Sequence, residues 1–274
     1  MLLVYGWAAD LEGSLGLPAM AALYRSREEQ LRETCRKLYW DESRRMFADT
    51  PARKLFSQHS NRLAILGDVI TGEAARDLML RTLADTAIAQ AALFFRYYVH
   101  VALSKAGEGD RYPDQLDDWR EMIAHGLTTF SETADKPGNP PRSDCHAWSA
   151  NPNIEIFRTV LGVDSDAPHF ARVIVKPHPG KLAYVTGSVP HPKGSVDVSV
   201  RPAGNGWSIH VVFRRILRAS SNGAGSGANS SRGRMSSRHE DTNRPHKEPQ
   251  LRRERDRVSG HVPPVYTGGV AAAH

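Results

Sequence analysis

The chain has 274 residues, about the length of two average domains, and 40% of them are hydrophobic, which is enough for a sizeable core. No apolar run approaches the roughly 18 residues that cross a bilayer, so we expect no membrane-spanning segment. Two cysteines, Cys35 and Cys145, are too few for a disulfide framework or a four-thiolate zinc site.

The net charge of +6 is concentrated near the C-terminus. Residues 218–257 contain ten basic and five acidic side chains, whereas residues 1–217 are almost neutral, with 26 basic and 25 acidic side chains. The body of the protein is therefore not a basic nucleic-acid-binding domain. The basic segment also lacks interleaved aromatic residues, so we do not expect nucleic acid as a partner.

The first sixteen residues predict a helix. Asp10 and Glu12 interrupt the apolar run and no basic segment precedes it, so it does not resemble a secretory signal, and a cytoplasmic location is the default expectation. The apolar residues expected on one face are Leu2, Leu3, Tyr5, Gly6, Ala9 and Leu15. A sequence that opens inside a helix without a cap suggests that upstream polypeptide, which could also carry a signal, is missing.

Helical periodicity continues to about residue 163, with no strand signal between the helices. The predicted helices span residues 18–38, 60–69, 71–85, 88–105, 112–126 and 151–162. We expect Ser60 or Asn61 to cap the third helix of the chain, Thr71 to cap the next, and Gly162 to end the last. The segment 88–105 is apolar nearly all round, which predicts a buried helix.

The pattern then changes to alternating apolar and polar residues bounded by Gly and Pro, which predicts four strands of an antiparallel sheet. These strands cover residues 172–177, 182–189, 194–202 and 207–213. The predicted organisation is a helical domain over 1–163, a small β domain over 168–215 and a disordered Arg/Ser/Gly-rich tail over 216–274. The abrupt change after HVVFRRILR (210–218) favours the hypothesis of an out-of-frame C-terminus that replaces further strands.

Residues 126–150 form a long, proline-containing loop between two helices, and such loops often carry function. Its groups suited to catalysis are Glu132, Asp135, Asp144, Cys145, His146 and Trp148. A carboxylate, an imidazole and an indole together can hold a sugar, because the indole stacks on the ring while the other two bond hydroxyls or move a proton. The alternative is that Glu132 is a solvated loop residue, His146 a structural histidine and Trp148 a packing residue.

Other candidate groups are weaker. Cys145 next to His146 suggests a thiol nucleophile, but no third orienting group is present, and a buried structural thiol is the better interpretation. Gln58 and His59 either line a polar cleft or cap a helix. No phosphate-binding loop, dinucleotide fingerprint, HExxH motif or cysteine pair occurs, so we expect no cofactor and no metal.

Six segments resemble the bacterial α-L-rhamnosidases of glycoside hydrolase family 78. They are LYWDESRRMFADTP (38–51), FSQHSNRLAILGD (56–68), FFRYYVHVALSKAG (94–107), LDDWREMIAHGLTTFSET (116–133), PRSDCHAWSANPNIEIFRTVLGV (141–163) and FARVIVKPHPGKLAYVTGSVPHPKGSVDVSV (170–200). The first five are similar to the C-terminal half of that family's catalytic domain, and the last to its C-terminal β-sandwich. The resemblance covers residues 1–213.

The resemblance implies a partial (α/α)6 barrel, an incomplete antiparallel β-sandwich and hydrolysis of terminal α-L-rhamnosides with inversion. The glutamate that ends the TTF-x-E motif, Glu132, corresponds to the family's general base. His146 is similar to a residue that contacts rhamnose, and Trp148 and His59 are expected to line the same substrate site. One departure is Ser131, which stands where the family often has Trp or Pro.

The resemblance also places the family's general acid upstream of the part that this chain matches. We therefore expect a rhamnosidase fragment that is inactive or nearly so unless a separately encoded N-terminal half of the barrel completes it. The expected partners are a rhamnoside substrate and that half-barrel. The alternative function is a non-catalytic helical module for carbohydrate binding or another interaction.

Overall fold

The computed structural model describes residues 1–134, 143–216 and 253–261, the last of these and Ile216 for the backbone alone. The α-helices are α1 (Leu2–Ser14), α2 (Pro18–Tyr39), α3 (Gln58–Leu66), α4 (Gly72–Ala84), α5 (Leu93–Lys105), α6 (Asp117–Ala124) and α7 (Pro152–Glu155). The 3-10 segments are Gly109–Gln115, Ala147–Ala150 and Pro168–Phe170, and a π-helical turn, Ile156–Val160, follows α7.

Four small strands and one four-stranded sheet complete the fold. The strands are β1 (Trp40–Asp41), β2 (Met46–Phe47), β3 (Val163–Ser165), β4 (Val173–Val175), β5 (Val185–His191), β6 (Gly194–Ala203), β7 (Gly206–Ile216) and β8 (Arg253–His261). Strands β1 and β2 form a hairpin, β3 pairs with β4, and β5 to β8 form an antiparallel sheet in chain order. The predicted helical domain followed by a small β domain is confirmed.

The main core lies among α3, α4, α5 and the hairpin. Its fully buried members include Ile65, Leu78, Met79, Ala102 and Leu103. Apolar residues recur at helical spacing on each of these helices, and burying that face stabilises the fold because most helical stability in proteins comes from tertiary packing.

Helix α3 begins earlier than its sequence predicts. Ser57 caps it by accepting a hydrogen bond from the Ser60 amide, so the prediction that Ser60 or Asn61 is the cap is wrong. Asn61 instead bonds the backbone of Phe47 through both its amide oxygen and its amide nitrogen. The side chain that could have capped the helix therefore holds β2 against it.

Helix α5 is shorter than predicted, because residues 88–92 are not helical and the backbone of Ala92, directly before the helix, is extended. The Ala89 amide donates to the Phe56 carbonyl and the Ala89 carbonyl accepts from the Gln58 amide, which fixes this stretch beside the start of α3. The predicted burial holds for Val99, Ala102 and Leu103, whereas Phe94 in the first turn is exposed.

The last predicted helix is divided into α7 and the π-helical turn, and Gly162 ends it as expected. Gly162 has a φ of +79°, and a Cβ atom there would lie 2.2 Å from the Lys176 carbonyl carbon. Only glycine fits this position, which lets the chain turn from the helices into β3.

Two strand predictions change in the structure. The segment predicted as the first strand of the sheet forms β4 and pairs with β3, in a separate two-stranded ribbon. The fourth strand of the sheet is instead β8, which lies within the segment 216–274 whose composition predicts disorder. The rest of that segment, 217–252 and 262–274, lies outside the described residues.

The sheet buries one face. Val196, Val198 and Val200 alternate along β6 and pack with Leu161 and Val163 in a second core. This period of two is expected for a strand with one face on the core. Over the described parts of the chain, no helix is both long and apolar enough to cross a membrane.

Candidate active site

The site lies after α6, where residues 126–134 and 143–150 approach each other. The Glu132 amide donates to the Ser143 carbonyl at 2.8 Å, and the His146 amide donates to the Phe130 carbonyl at 2.7 Å. These two backbone hydrogen bonds align the segments side by side. Glu132 and His146, fourteen residues apart in the chain, therefore present their side chains to the same region.

Buried polar contacts anchor this pair of segments on α6. The indole nitrogen of Trp119 donates to the Ser149 carbonyl at 2.7 Å, and the Ser149 hydroxyl donates to the Ser131 carbonyl. Ser131 is itself buried, and its hydroxyl donates to the Thr133 carbonyl at 2.9 Å. The small residue that departs from the rhamnosidase pattern thus bonds the backbone beside Glu132.

The side chains of Glu132, His146 and Trp148 form a row. The Glu132 carboxylate is only 8% exposed, and its Oε1 lies 4.0 Å from Nε2 of His146. That distance allows electrostatic attraction but is too long for a direct hydrogen bond. The His146 ring lies 4.3 Å from the Trp148 ring, and the indole meets Phe94 edge-on at 5.6 Å between centroids.

The row is buried at one end and open at the other. Trp148 is 47% exposed, and Phe94 is also exposed, so together they form an aromatic surface beside the buried carboxylate. Nδ1 of His146 is buried and has no hydrogen-bond partner among the described residues. A polar atom in that situation suits a ligand hydroxyl or a water molecule.

His59 lies on a different element. It is the second residue of α3, and its ring packs on Phe95 with 4.1 Å between centroids. Phe95 follows Phe94 in the first turn of α5, so that turn contacts both His59 and Trp148. The neighbouring Gln58 is buried, donates to Gln90 at 2.8 Å and holds the residues that precede α5.

The structure corrects one prediction for this loop, and a second prediction falls on a residue that the structure does not describe. The Cys145 thiol is exposed, so the prediction that it is buried is wrong. The turn at residues 143–146 accounts for this, since the Cys145 amide bonds Ser143 Oγ while the adjacent His146 backbone is directed to Phe130. The candidate residue Asp135 lies outside the described residues.

Sequence reasoning missed the aromatic wall that Phe94 and Phe95 provide. Both were included in a helix that is apolar all round, where no periodicity distinguishes a residue at an opening from one in the core. Within the described ranges, no three histidine, cysteine or acidic side chains are grouped to hold a metal ion.

Comparisons with solved structures match this arrangement of helices and sheet. The GH78 family rhamnosidase of Bacillus sp. GL1 superposes with a TM-score of 0.64 at 24% identity, over 74% of this chain and 23% of that one. The α-L-rhamnosidase of Dictyoglumus thermophilum gives a TM-score of 0.62 at 18% identity, over 78% of this chain and 26% of that one. This chain has a rhamnosidase fold.

A third rhamnosidase, from Klebsiella oxytoca and with rhamnose bound, gives a TM-score of 0.51 at 26% identity, over 57% of this chain and 32% of that one. The chain thus spans about a quarter to a third of the length of the rhamnosidases that it matches. No protein-family model matches the sequence, and neither does any curated protein. The resemblance to the rhamnosidases is confirmed at the level of the fold.

Proposed function

We propose that this chain supplies the water-activating part of an inverting α-L-rhamnosidase, with Glu132 as the general base and His146 and Trp148 as ligands of the rhamnose ring. The observation that carries the proposal is the row of three side chains, which places a buried carboxylate beside an imidazole and an exposed indole. The fold shared with three solved rhamnosidases supports it.

Each residue suits its proposed role. The Glu132 carboxylate accepts a proton from the attacking water, which requires that it be held in place, and the pairing of its backbone with Ser143 holds it beside His146. The Trp148 indole offers an apolar face to the sugar ring. In this proposal a sugar hydroxyl bonds Nδ1 of His146, which has no hydrogen-bond partner in the part of the chain that the structure describes.

Inversion needs a second carboxyl group about 6.5–9.5 Å from the first, which protonates the leaving oxygen. The resemblance to the rhamnosidases places the family's general acid upstream of the part that this chain matches, and the proposal takes its proton donor from there. Without that donor the rate falls by about 10²–10⁴-fold, which is the usual contribution of general-acid catalysis.

The test is hydrolysis of an aryl α-L-rhamnoside, first by this chain alone and then together with the polypeptide encoded immediately upstream. We expect negligible turnover alone, restored turnover in the mixture, and β-L-rhamnose as the first product detected by NMR. Full activity in the isolated chain, or first release of the α-anomer, would contradict the proposal.

A non-catalytic carbohydrate-binding module is the alternative function, and the open end of the row favours it. Stacking on Trp148 and Phe94 needs no proton donor, so it could persist where turnover does not. Calorimetric titration with rhamnose separates the two functions: binding without turnover, in the presence of the upstream polypeptide, supports the binding module.

A further inference from the structure

Asn151 lies beside the row of Glu132, His146 and Trp148. It directly follows the 3-10 turn Ala147–Ala150, which carries Trp148. Its side-chain amide donates to the Trp148 carbonyl at 3.1 Å and to the Leu93 carbonyl at 2.9 Å. Because an amide nitrogen has two N–H groups and a carbonyl can only accept, these two partners use both donors and fix the orientation of the amide.

Leu93 gives this bridge a rigid end. It is the first residue of α5, is only 2% exposed and packs on α6 in a buried cluster. The residue that follows it is Phe94, whose ring meets the Trp148 indole edge-on. Asn151 therefore joins the backbone of Trp148 to the backbone of α5 directly beside the residue that carries the second ring.

The two rings have little else to hold them. Trp148 and Phe94 are each about half exposed, so the surrounding packing restricts them only in part. A single edge-on contact between exposed rings is a weak constraint. A surface that is ordered before the ligand arrives binds more tightly, because the ligand does not have to immobilise the side chains.

Ser149 fixes the other half of the same turn. Its hydroxyl lies within hydrogen-bond distance of the carbonyls of Ser131 and His146, which are on the side of Glu132. The two polar side chains therefore act on different parts of the row. Ser149 holds the backbone that carries the imidazole beside the carboxylate, whereas Asn151 holds the backbone that carries the indole.

We propose that Asn151 is a positioning residue, which holds the Trp148 indole against Phe94 and thereby sets the affinity of the site for the sugar ring. It acts through the two carbonyls and does not touch the sugar. The inference rests on the proposed function, because that function assigns Trp148 to rhamnose binding. It makes substrate affinity depend on Asn151 while the proton transfer depends on Glu132.

The main test is a double-mutant cycle on rhamnose affinity, measured by calorimetry on the protein assembled with the upstream polypeptide. Asn151→Ala should weaken binding about fivefold, in the range expected for an aromatic contact. In a Trp148→Ala background the same substitution should have no further effect, since no indole is left to position. Additive losses would show that Asn151 acts elsewhere and would overturn the inference.

Matched variants separate the bridge from charge and size. Asn151→Asp keeps the shape of the side chain but removes both donors, so it should weaken binding as Asn151→Ala does. Asn153→Ala and Asn153→Asp, at an exposed position of α7 two residues away, should bind rhamnose like the parent protein.

Steady-state kinetics give a second readout that a general loss of structure would not reproduce. Both Asn151 variants should raise KM about fivefold and leave kcat within about twofold of the parent value, because Glu132 keeps its place. A fall in kcat at constant KM would overturn the inference, since Asn151 would then act on the proton transfer.

Tryptophan fluorescence tests the bridge without sugar. Comparing each chain with its Trp148→Phe variant isolates the emission of Trp148 among the five tryptophans. In Asn151→Ala and Asn151→Asp, that emission should move to longer wavelength and become more accessible to acrylamide. Unchanged Trp148 emission in both variants would contradict the inference. Loss of the native circular dichroism spectrum in both would also contradict it, because Asn151 would then hold the fold rather than one ring.

The positioning role and the proposed function fail separately. If the assembled parent protein binds no rhamnose, the proposed function fails, while a Trp148 emission that depends on Asn151 still supports the bridge. If the parent binds rhamnose and Asn151→Ala binds it equally well, the positioning role fails and the proposed function stands.

Discussion

Glu132 and Glu155 are both carboxylates that the fold removes from water, yet their surroundings differ. Glu155 is only 2% exposed, and its Oε2 accepts a hydrogen bond from the Thr159 hydroxyl at 2.8 Å. Its Oε1 lies 3.5 Å from Arg158, whose guanidinium also binds Asp164 at 2.9 Å. Glu155 therefore belongs to a network that joins the last helical turns to β3.

Glu132 has different neighbours. Its neighbours include the His146 imidazole, at 4.0 Å, and beyond that ring lie the half-exposed Trp148 and the exposed Phe94. A buried carboxylate is thus not a sign of an active site in itself. What distinguishes the two is whether the neighbours form a structural network or an open surface on which a ligand can rest.

The largest effect expected from this comparison is on turnover. In the assembled enzyme, Glu132→Gln should lower kcat by about 10²–10⁴-fold, because the amide cannot accept a proton from water. The melting temperature should change little. Glu155→Gln is the matched control, since it makes the same chemical change at a carboxylate in the structural network and should leave kcat near the parent value.

Equal losses of kcat in Glu132→Gln and Glu155→Gln would contradict the assignment of the first to chemistry and the second to structure. Circular dichroism and thermal melting of both variants would show whether such losses come from unfolding.

The second effect is on stability. Glu155→Ala should lower the free energy of unfolding by about 2 kcal/mol, because it removes an acceptor from part of the Arg158 guanidinium and leaves the buried Thr159 hydroxyl with Ser104 as its remaining side-chain partner. Urea unfolding measures the change. Glu155→Gln, which keeps an oxygen acceptor for Thr159, should cost less. If the free energy of unfolding is the same in Glu155→Ala as in the parent chain, Glu155 does not contribute to a stabilising network.

The row of Glu132, His146 and Trp148 was predictable because a loop motif carries all three. Local spacing placed them in one segment, and the backbone pairing of residues 130–132 with 143–146 brought them together. The predicted site lacks the wall from α5, since Phe94 reaches Trp148 through tertiary packing between elements more than fifty residues apart.

The fold was predictable where the apolar residues follow one clear helical or strand periodicity. It was less predictable where several neighbouring residues could each cap the same helix. Ser57, Ser60 and Asn61 are all suitable caps, and the choice depended on Asn61 being bonded to Phe47. The composition of residues 216–274 indicates disorder, but the backbone of β8 pairs with residues 208–216 of β7. A sheet edge can supply pairing that composition does not reveal.

A third, smaller effect concerns binding. Trp148→Ala should weaken rhamnose binding by the assembled protein about tenfold, because it removes the stacking face without disturbing a buried core. Calorimetry measures the affinity. Phe213→Ala is the matched control, since Phe213 is a similarly exposed aromatic residue on β7. His59→Ala, which removes the ring contact with Phe95, should weaken binding less than Trp148→Ala. If Trp148→Ala binds rhamnose as tightly as the parent protein, Trp148 is not part of the binding site.

The smallest expected effect is a pH dependence that arises from Glu155. Burial raises its pKa above the ordinary 4.5, so the folded state holds this proton more tightly than the unfolded state does. Its contribution to stability is therefore complete below pH 4.5 and is lost as the pH rises through the folded-state pKa. Asp110, whose pKa the His178 side chain lowers, acts in the opposite sense, and its contribution is lost on acidification.

Comparing the parent chain with Glu155→Gln isolates the first contribution, because Asp110 and the other acids are the same in both. Urea unfolding between pH 4 and pH 7 should show the parent losing stability relative to the variant as the pH rises, by at most about 1.4 kcal/mol per pH unit. A parent that gains stability relative to the variant over this range would show that Arg158 outweighs burial at Glu155. The carboxylate would then be held ionised in the folded protein, and the difference between it and Glu132 would rest on their neighbours alone.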